Sequence, residues 1–483
     1  MYVLHTLSDI PSNNKDLCKE DGYIPINAEL LRNQIGREYD NYLTYLIDVG
    51  IVESDNYFSR PAHKSRGYRF TPPYQTSLKQ ETISIGKVLW DKLHSFPVKG
   101  VRPDTSEDQS LSELAAIHRK SLLEKLPVKS KSLNQGELYT YHILTRERFS
   151  FAYKWLDERG LQIDAEAAHT YNEWLHEMRM STTALREEYY NRKRRRWQYK
   201  DPHVQYRANY CNIEKLRTGD YQGLFDTNVF RFHTPLSNMK SELRNFITWK
   251  GKNLVAVDLS SSQPALLTGL FDPDFWAGEK KFSLQSLPFY KPNDVFRSNS
   301  HLSYIITLCK NMRGQDGEFL PELREYISLI ESGEFYSRFR ELVNQKIGRE
   351  LASHKEIKTM MFIVLFTDNR YFGQKAAGPK RLFREVFPSI YELTRSIKAK
   401  SSEVLPILLQ RIESYIMYHK IVPRITYERP DLPIFPIHDS LVVTEGNEAY
   451  VEQIMSEEIQ KAIGIRPHFK RDHWSPDKVL TSA

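Results

Sequence analysis

Apolar positions along this chain follow two periods, and the switches between them mark its elements. Between residues 22 and 75, Leu30, Leu31 and Ile35, and then Tyr42, Leu43, Leu46 and Ile47, fall on helical faces. Asn27 is placed to cap the first helix, and Gly36 and Gly50 to close the pair. Two strand-like stretches follow, Ile51 to Tyr57 and Gly67 to Phe70, joined by a basic loop with Arg60, His63, Lys64 and Arg66. Residues 76 to 107 keep no period and read as a linker. Helical spacing returns over Ser110 to Leu126 and Glu137 to Leu156. A longer helix, capped by Asp164, is predicted to run past Tyr190 into the densest charge run of the chain, Arg192, Lys193, Arg194, Arg195 and Arg196. Residues 318 to 345, 353 to 368, Arg384 to Lys398 and Leu405 to His419 are further amphipathic helices. Asn447 is placed to cap a last long helix that ends at Gly464, before a strand near Ile465 to Trp474. The pattern predicts an α+β protein with segments 1–75, 76–220 and 221–483.

Two strand-like stretches deliver carboxylates. Leu254, Val255 and Val257 lead into Asp258 and a Ser-rich turn, and Leu432 to Val443 reads as a hairpin with His438, Asp439 and Ser440 at its bend. An aspartate at a strand end is held by rigid backbone, and its carboxylate together with the Leu259 carbonyl suits a hard cation. Mg²⁺ takes one or two carboxylates from protein and completes its shell with phosphates and water. Two such ions, roughly 3.5–4 Å apart, serve nucleotidyl transfer. A turn-starting aspartate that bonds its own backbone has the same local sequence.

Between the two lies a helix on which His354, Lys358, Phe362 and Phe366 recur every four residues. A cation followed by two rings on one stripe suits a nucleoside triphosphate, with Lys358 on phosphate and the rings on base and sugar. A core-facing aromatic stripe with a snorkelling lysine reads identically.

The order Asp-x-Ser-x-x-Gln, Lys-x-x-x-Phe-x-x-x-Phe, His-Asp-Ser resembles motifs A, B and C of the superfamily that unites A-family DNA polymerases with phage-type single-subunit RNA polymerases. Arg231, seven residues before Asn238, is similar to the segment opening the A-family palm, and Gln410 to the template-contacting glutamine upstream of motif C. The resemblance spans about residues 225 to 475. It implies a right hand of palm, fingers and thumb, with Asp258, Leu259 and Asp439 as ligands of two Mg²⁺, Mn²⁺ being able to substitute. It also implies Lys358 and His354 on the triphosphate, Phe362 and Phe366 on base and sugar, and Gln263 as sugar gate. Arg231, Asn238, Gln410 and His438 would hold primer and template. The chain departs from the family at His354 (usually Arg), at Gln263 (Glu in the DNA polymerases) and at Phe366 (usually Tyr). Ser440 matches the RNA polymerases. Gln263 and Phe366 lean toward deoxynucleotides. No exonuclease-like carboxylate set precedes the palm-like part, so no proofreading is expected.

The helix, helix, strand, strand order of residues 22–75 resembles a winged helix-turn-helix, which implies origin or promoter DNA, or alternatively a protein, as its partner. The cations at 192–196, interleaved with Trp197 and Tyr199, suit a duplex; a solvated helix end has the same composition.

The 483 residues allow several domains, and a net charge of +7 with 68 Lys and Arg suits a polyanionic partner. Cys18, Cys211 and Cys309 are too dispersed for a zinc site or disulfide framework, and with no membrane-length apolar run or signal-like start they point to the cytoplasm. The primary expectation is a DNA polymerase using primer-template DNA and nucleoside triphosphates, for a phage, plasmid or other mobile element. A single-subunit RNA polymerase or primase, and a catalytically inactive replication initiator, stay open.

Overall fold

The computed structural model describes residues 2–59, 65–76, 122, 125–126, 133, 135–191, 196–219, 222–287, 290–347, 354–369, 372–374 and 377–480. Most of the predicted linker and the Ser110–Leu126 helix lie outside them, as do Arg60, His63 and Lys64 of the basic loop and Ser353 at the head of the expected 353–368 helix.

The chain begins with α1 (Tyr2–Asn13), β1 (Ile24–Pro25), α2 (Ala28–Ile35), α3 (Tyr39–Asp48), β2 (Val52–Ser54) and β3 (Gly67–Phe70). The strands form an antiparallel sheet in the order β1-β3-β2. Asn27 does cap α2, its side chain accepting the Glu29 N–H at 2.8 Å. Leu7, Ile24, Leu31, Leu43, Val52 and Phe70 make a separate hydrophobic core, which one residue from further along, Val204, completes. Val204 belongs to the helix Pro202–Thr218, which packs along α1. On the same helix, Arg207 donates to the Gln75 carbonyl at 2.8 Å and Lys215 pairs with Asp9 at 2.6 Å.

The helix capped by Asp164 is shorter than its period suggested. It spans Ala165–Ser181, and beyond it β5 (Glu188–Asn191) and β6 (Arg196–Tyr199) pair as a hairpin; before it lies β4 (Leu161–Ile163). Thr182 is extended at φ −137°, and Arg186 turns back to donate to the Arg179 carbonyl at 2.5 Å, which closes the helix end. Arg192, Lys193, Arg194 and Arg195 lie outside the described residues, and Arg196 opens β6.

Then come β7 (Leu224–Phe225), β8 (Phe232–His233) and β9 (Ile247–Trp249), the last paired with β4. The main sheet holds β10 (Leu254–Leu259), β11 (Ile434–Ile437), β12 (Ser440–Thr444) and β13 (Phe469–His473) in the order β11-β12-β10-β13, antiparallel throughout. Leu254, Val255 and Val257 are fully buried, which explains why β10 reads as an unbroken apolar run rather than an alternation. The helix Glu448–Ile463 packs on β10 and β12, and Ser150–Asp157 on β11. Asn447 stands at the N-cap but bonds back to Thr444 instead of capping.

Two expected helical stretches are broken. Gly333, at φ +73°, separates Pro321–Glu331 from Phe335–Ile347. Pro388 forces Phe387 out of the helical region, to φ −129° and ψ 69°, and so divides Gly378–Val386 from Pro388–Ile397. Among the described residues no helix is long and apolar enough to cross a membrane, and all three cysteines are free and buried.

Candidate active site

β10 carries Asp258 to the end of the buried sheet, where the Ser260–Ser261 turn begins. Across the ladder its register partner is Ser440. The β11–β12 pairing closes at Ile437 and Ser440, leaving His438 and Asp439 as the bend, with His438 at φ +57°. The Leu259 N–H donates to the Asp439 carbonyl at 3.3 Å, so the bend is tied to the strand that bears Asp258. The two carboxylates share one electrostatic neighbourhood. Burial, and after it the charge of Asp439, pushes the Asp258 carboxyl up to about 7, against the opposing pull of Lys470 and Arg244.

A third carboxylate, Glu413, joins them from the helix Val404–Ile416. It is 5 % exposed, and burial pushes it up to about 7, with Arg231 opposing and Asp439 and Asp258 adding to the rise. Gln410, the residue singled out on this helix from the sequence, lies one turn earlier; the signal for Glu413 is a lone acid set among Ile412, Tyr415 and Ile416.

The position of Arg231 is set by Asp226. In the β7–β8 bend Asp226 Oδ1 accepts the N–H groups of Asn228 and Val229 at 2.8 and 2.7 Å, and Oδ2 that of Arg231 at 2.9 Å. Phe230 is thereby held at φ +61°. The Arg231 guanidinium then grips Glu413 in a fork, Nε to Oε1 at 2.9 Å and Nη2 to Oε2 at 2.7 Å. Gln263, on the helix Ser262–Leu267, donates its Nε2 to Glu413 Oε2 at 3.1 Å, and its Oε1 is buried without a hydrogen bond. Arg231 and Gln263 therefore meet on one buried acid.

The helix His354–Phe366 buries Ile357, Met361, Val364 and Leu365 and abuts the Glu413 helix. Lys358 is exposed, Phe362 is 49 % exposed and Phe366 is half-buried, with the two rings 5.1 Å apart. The stripe thus faces outward at Lys358 and Phe362, unlike a core-facing aromatic row. The side chain of His354, at the head of this helix, is outside the described residues. Phe335–Ile347 also reaches the site, since burial and the charge of Asp439 push the Tyr336 hydroxyl up to about 12. Gln410 is half-buried, and the His438 ring lies 5.8 Å from that of His233. Asn238 ends the short helix Pro235–Asn238, and its carbonyl accepts from Asn212 at 3.4 Å.

Among the described residues no group of three or more His, Cys, Asp or Glu side chains is arranged to hold a metal ion. Two carboxylates are within what Mg²⁺ asks of a protein. Burial, and after it the charge of Asp439, is what raises Asp258, and a divalent cation held there would offset both, so the donor set fits.

No family model matches the chain, and no curated protein matches it. Among solved structures, the POL domain of Pol1 from M. smegmatis, in complex with DNA primer-template and dNTP, aligns with a TM-score of 0.29 at 13 % identity, over 71 % of this chain and 73 % of that one.

Proposed function

We propose that the chain is a template-directed nucleotidyltransferase, a DNA polymerase without proofreading, built as a divergent palm, fingers and thumb. The observation that carries this reading is the placing of Asp258, at the end of β10, beside the β11–β12 bend that holds Asp439, with the Lys358 helix packed against the helix that bears Glu413. The motif order of the sequence supports it.

Asp258 and Asp439, with the Leu259 carbonyl, would hold Mg²⁺, which when bound supplies activation of the primer hydroxyl and neutralisation of the leaving pyrophosphate. Lys358, exposed beside Phe362, meets the triphosphate as a point charge, and Phe362 and Phe366 offer their rings to base and sugar. Glu413 orients Gln263 and Arg231 from below, so that Gln263 presents a fixed amide to the sugar. Its bulk, and the absence of a hydroxyl on Phe366, favour deoxynucleotides. Gln410, one turn from Glu413, and His438 in the bend would contact template and primer.

The N-terminal unit is read as winged-helix-like. α3 exposes Asp40 and Asp48 together with Tyr42 and Tyr45, and Glu38, also exposed, stands at its N-cap. Carboxylates there oppose phosphate, which favours a protein partner over DNA.

Primer extension on DNA and RNA templates, with dNTPs or rNTPs and with or without primer, tests the reading. Mg²⁺-dependent addition of dNTPs to a primer is expected. Unprimed rNTP incorporation would assign a primase or RNA polymerase, and no incorporation under any condition would leave an inactive initiator.

A further inference from the structure

The helix Pro202–Thr218 carries three carboxamides along one face, Gln205, Asn209 and Asn212, spaced by four and three residues. They line a cavity of about 180 Å³ between α1, the foot of the β5–β6 hairpin and the segment from Asn238 to Ser241. Gln205 is 6 % and Asn212 2 % exposed, and neither Gln205 Oε1 nor Asn212 Oδ1 has a hydrogen bond. Buried carbonyl oxygens are seldom left in that state, so the cavity calls for a filler that brings N–H or O–H donors. Its charge is equally specific. Arg179, Lys200 and Lys240 surround a single lining carboxylate, Glu187, at 2.9, 3.2 and 3.3 Å, and Lys240 is shared with Glu242 at 2.9 Å. A cationic ligand would be repelled there, and a simple anion would leave both amide oxygens unmet. A group that joins amino or imino donors to a nearby phosphate answers both.

We propose that this cavity holds one unstacked nucleobase of a nucleic-acid strand. The base edge donates to Gln205 and Asn212, and its phosphate meets the partly exposed Lys200 and Lys240. Neither Asp258 nor Asp439 lines the cavity, and the proposal rests on the reading that nucleic acid is the partner.

The test measures binding of the full chain to a short single-stranded oligodeoxynucleotide and to an abasic strand of the same length, without nucleotides or divalent cations. The wild-type protein should prefer the base-containing strand by about tenfold. Gln205→Met and Gln205→Leu, which remove the oxygen offered to the base while the Gln205 amide has no hydrogen bond to lose, should both erase the preference. The methionine variant should melt no lower than wild type, and if it does, the leucine variant decides. Equal binding of both strands by wild type, or a preference that survives both substitutions, would mean that the cavity holds only water. That result would leave incorporation at Asp258 and Asp439 untouched, whereas absent incorporation with the preference intact would remove the polymerase reading alone.

Discussion

Asp258 faces Ser440 across the β10–β12 ladder, which sets it beside the bend that holds Asp439. Two acids remote in sequence are thus fixed by backbone pairing and not by flexible side chains. Asp258→Asn and Asp439→Asn should each lower primer extension by at least about a thousandfold, since the proposed chemistry rests on ions that they would hold. Duplex affinity, measured by anisotropy, should hardly change. Asp258→Asn should also raise the melting temperature in metal-free buffer, because it removes one of three crowded carboxylates; parallel losses of binding and activity would argue against a catalytic role.

Arg231 and Glu413 form a fork with 21 % and 4 % of their side chains exposed. Arg231→Ala strands a buried acid and should cost about 3–5 kcal/mol in urea unfolding. Replacing both, with Arg231→Met and Glu413→Leu, should recover most of that stability, as hydrophobic substitutes for buried ion pairs commonly do. Extension would remain poor, since Gln263 loses its anchor. A double variant as unstable as the single one would refute this account of the pair.

Lys358 and Phe362 stand outside the core, so Lys358→Ala and Phe362→Ala should leave the melting temperature near wild type. Lys358→Ala should raise the KM for the incoming triphosphate about 10–100-fold, the effect of one charged hydrogen bond. Steady-state kinetics at saturating primer-template would detect it. An unchanged KM would move the nucleotide elsewhere.

Asp226 organises the bend beneath Arg231. Burial works to raise its carboxyl, but the His233 imidazole and the N–H groups of Val229 and Asn228 outweigh burial and hold it below the ordinary value. An acid depressed in the folded state stabilises fully above its unfolded value of about 3.9, and that stabilisation fades as pH falls through the folded one. Asp226→Ala should therefore cost roughly 3 kcal/mol near neutrality. Its melting curve should approach that of wild type in acid below about pH 4. A gap independent of pH would mean that the charge contributes nothing.

The chain's local order was legible where neighbouring residues suffice. Asn27 caps α2, the apolar run before Asp258 forms a buried strand, and His438 and Asp439 make the bend of a hairpin. Short-range hydrogen bonds and burial periods decide those features. Where the reading overran, a local signal was outweighed. The helix expected past Tyr190 stops at Ser181, because Thr182 turns extended and the following residues find strand partners. Pro388 likewise broke a period that looked continuous.

By itself the sequence determined which residues stand at the ends of strands and on the faces of helices, because those depend on contacts a few positions apart. Only the tertiary structure decided that Glu413 shares the electrostatic neighbourhood of the two aspartates, that Arg231 and Gln263 converge on it, and that Gln205 and Asn212 border a cavity with unmet oxygens. Each of these joins residues brought together by packing of separate elements, and packing depends on the shape of the whole core, which no local period records.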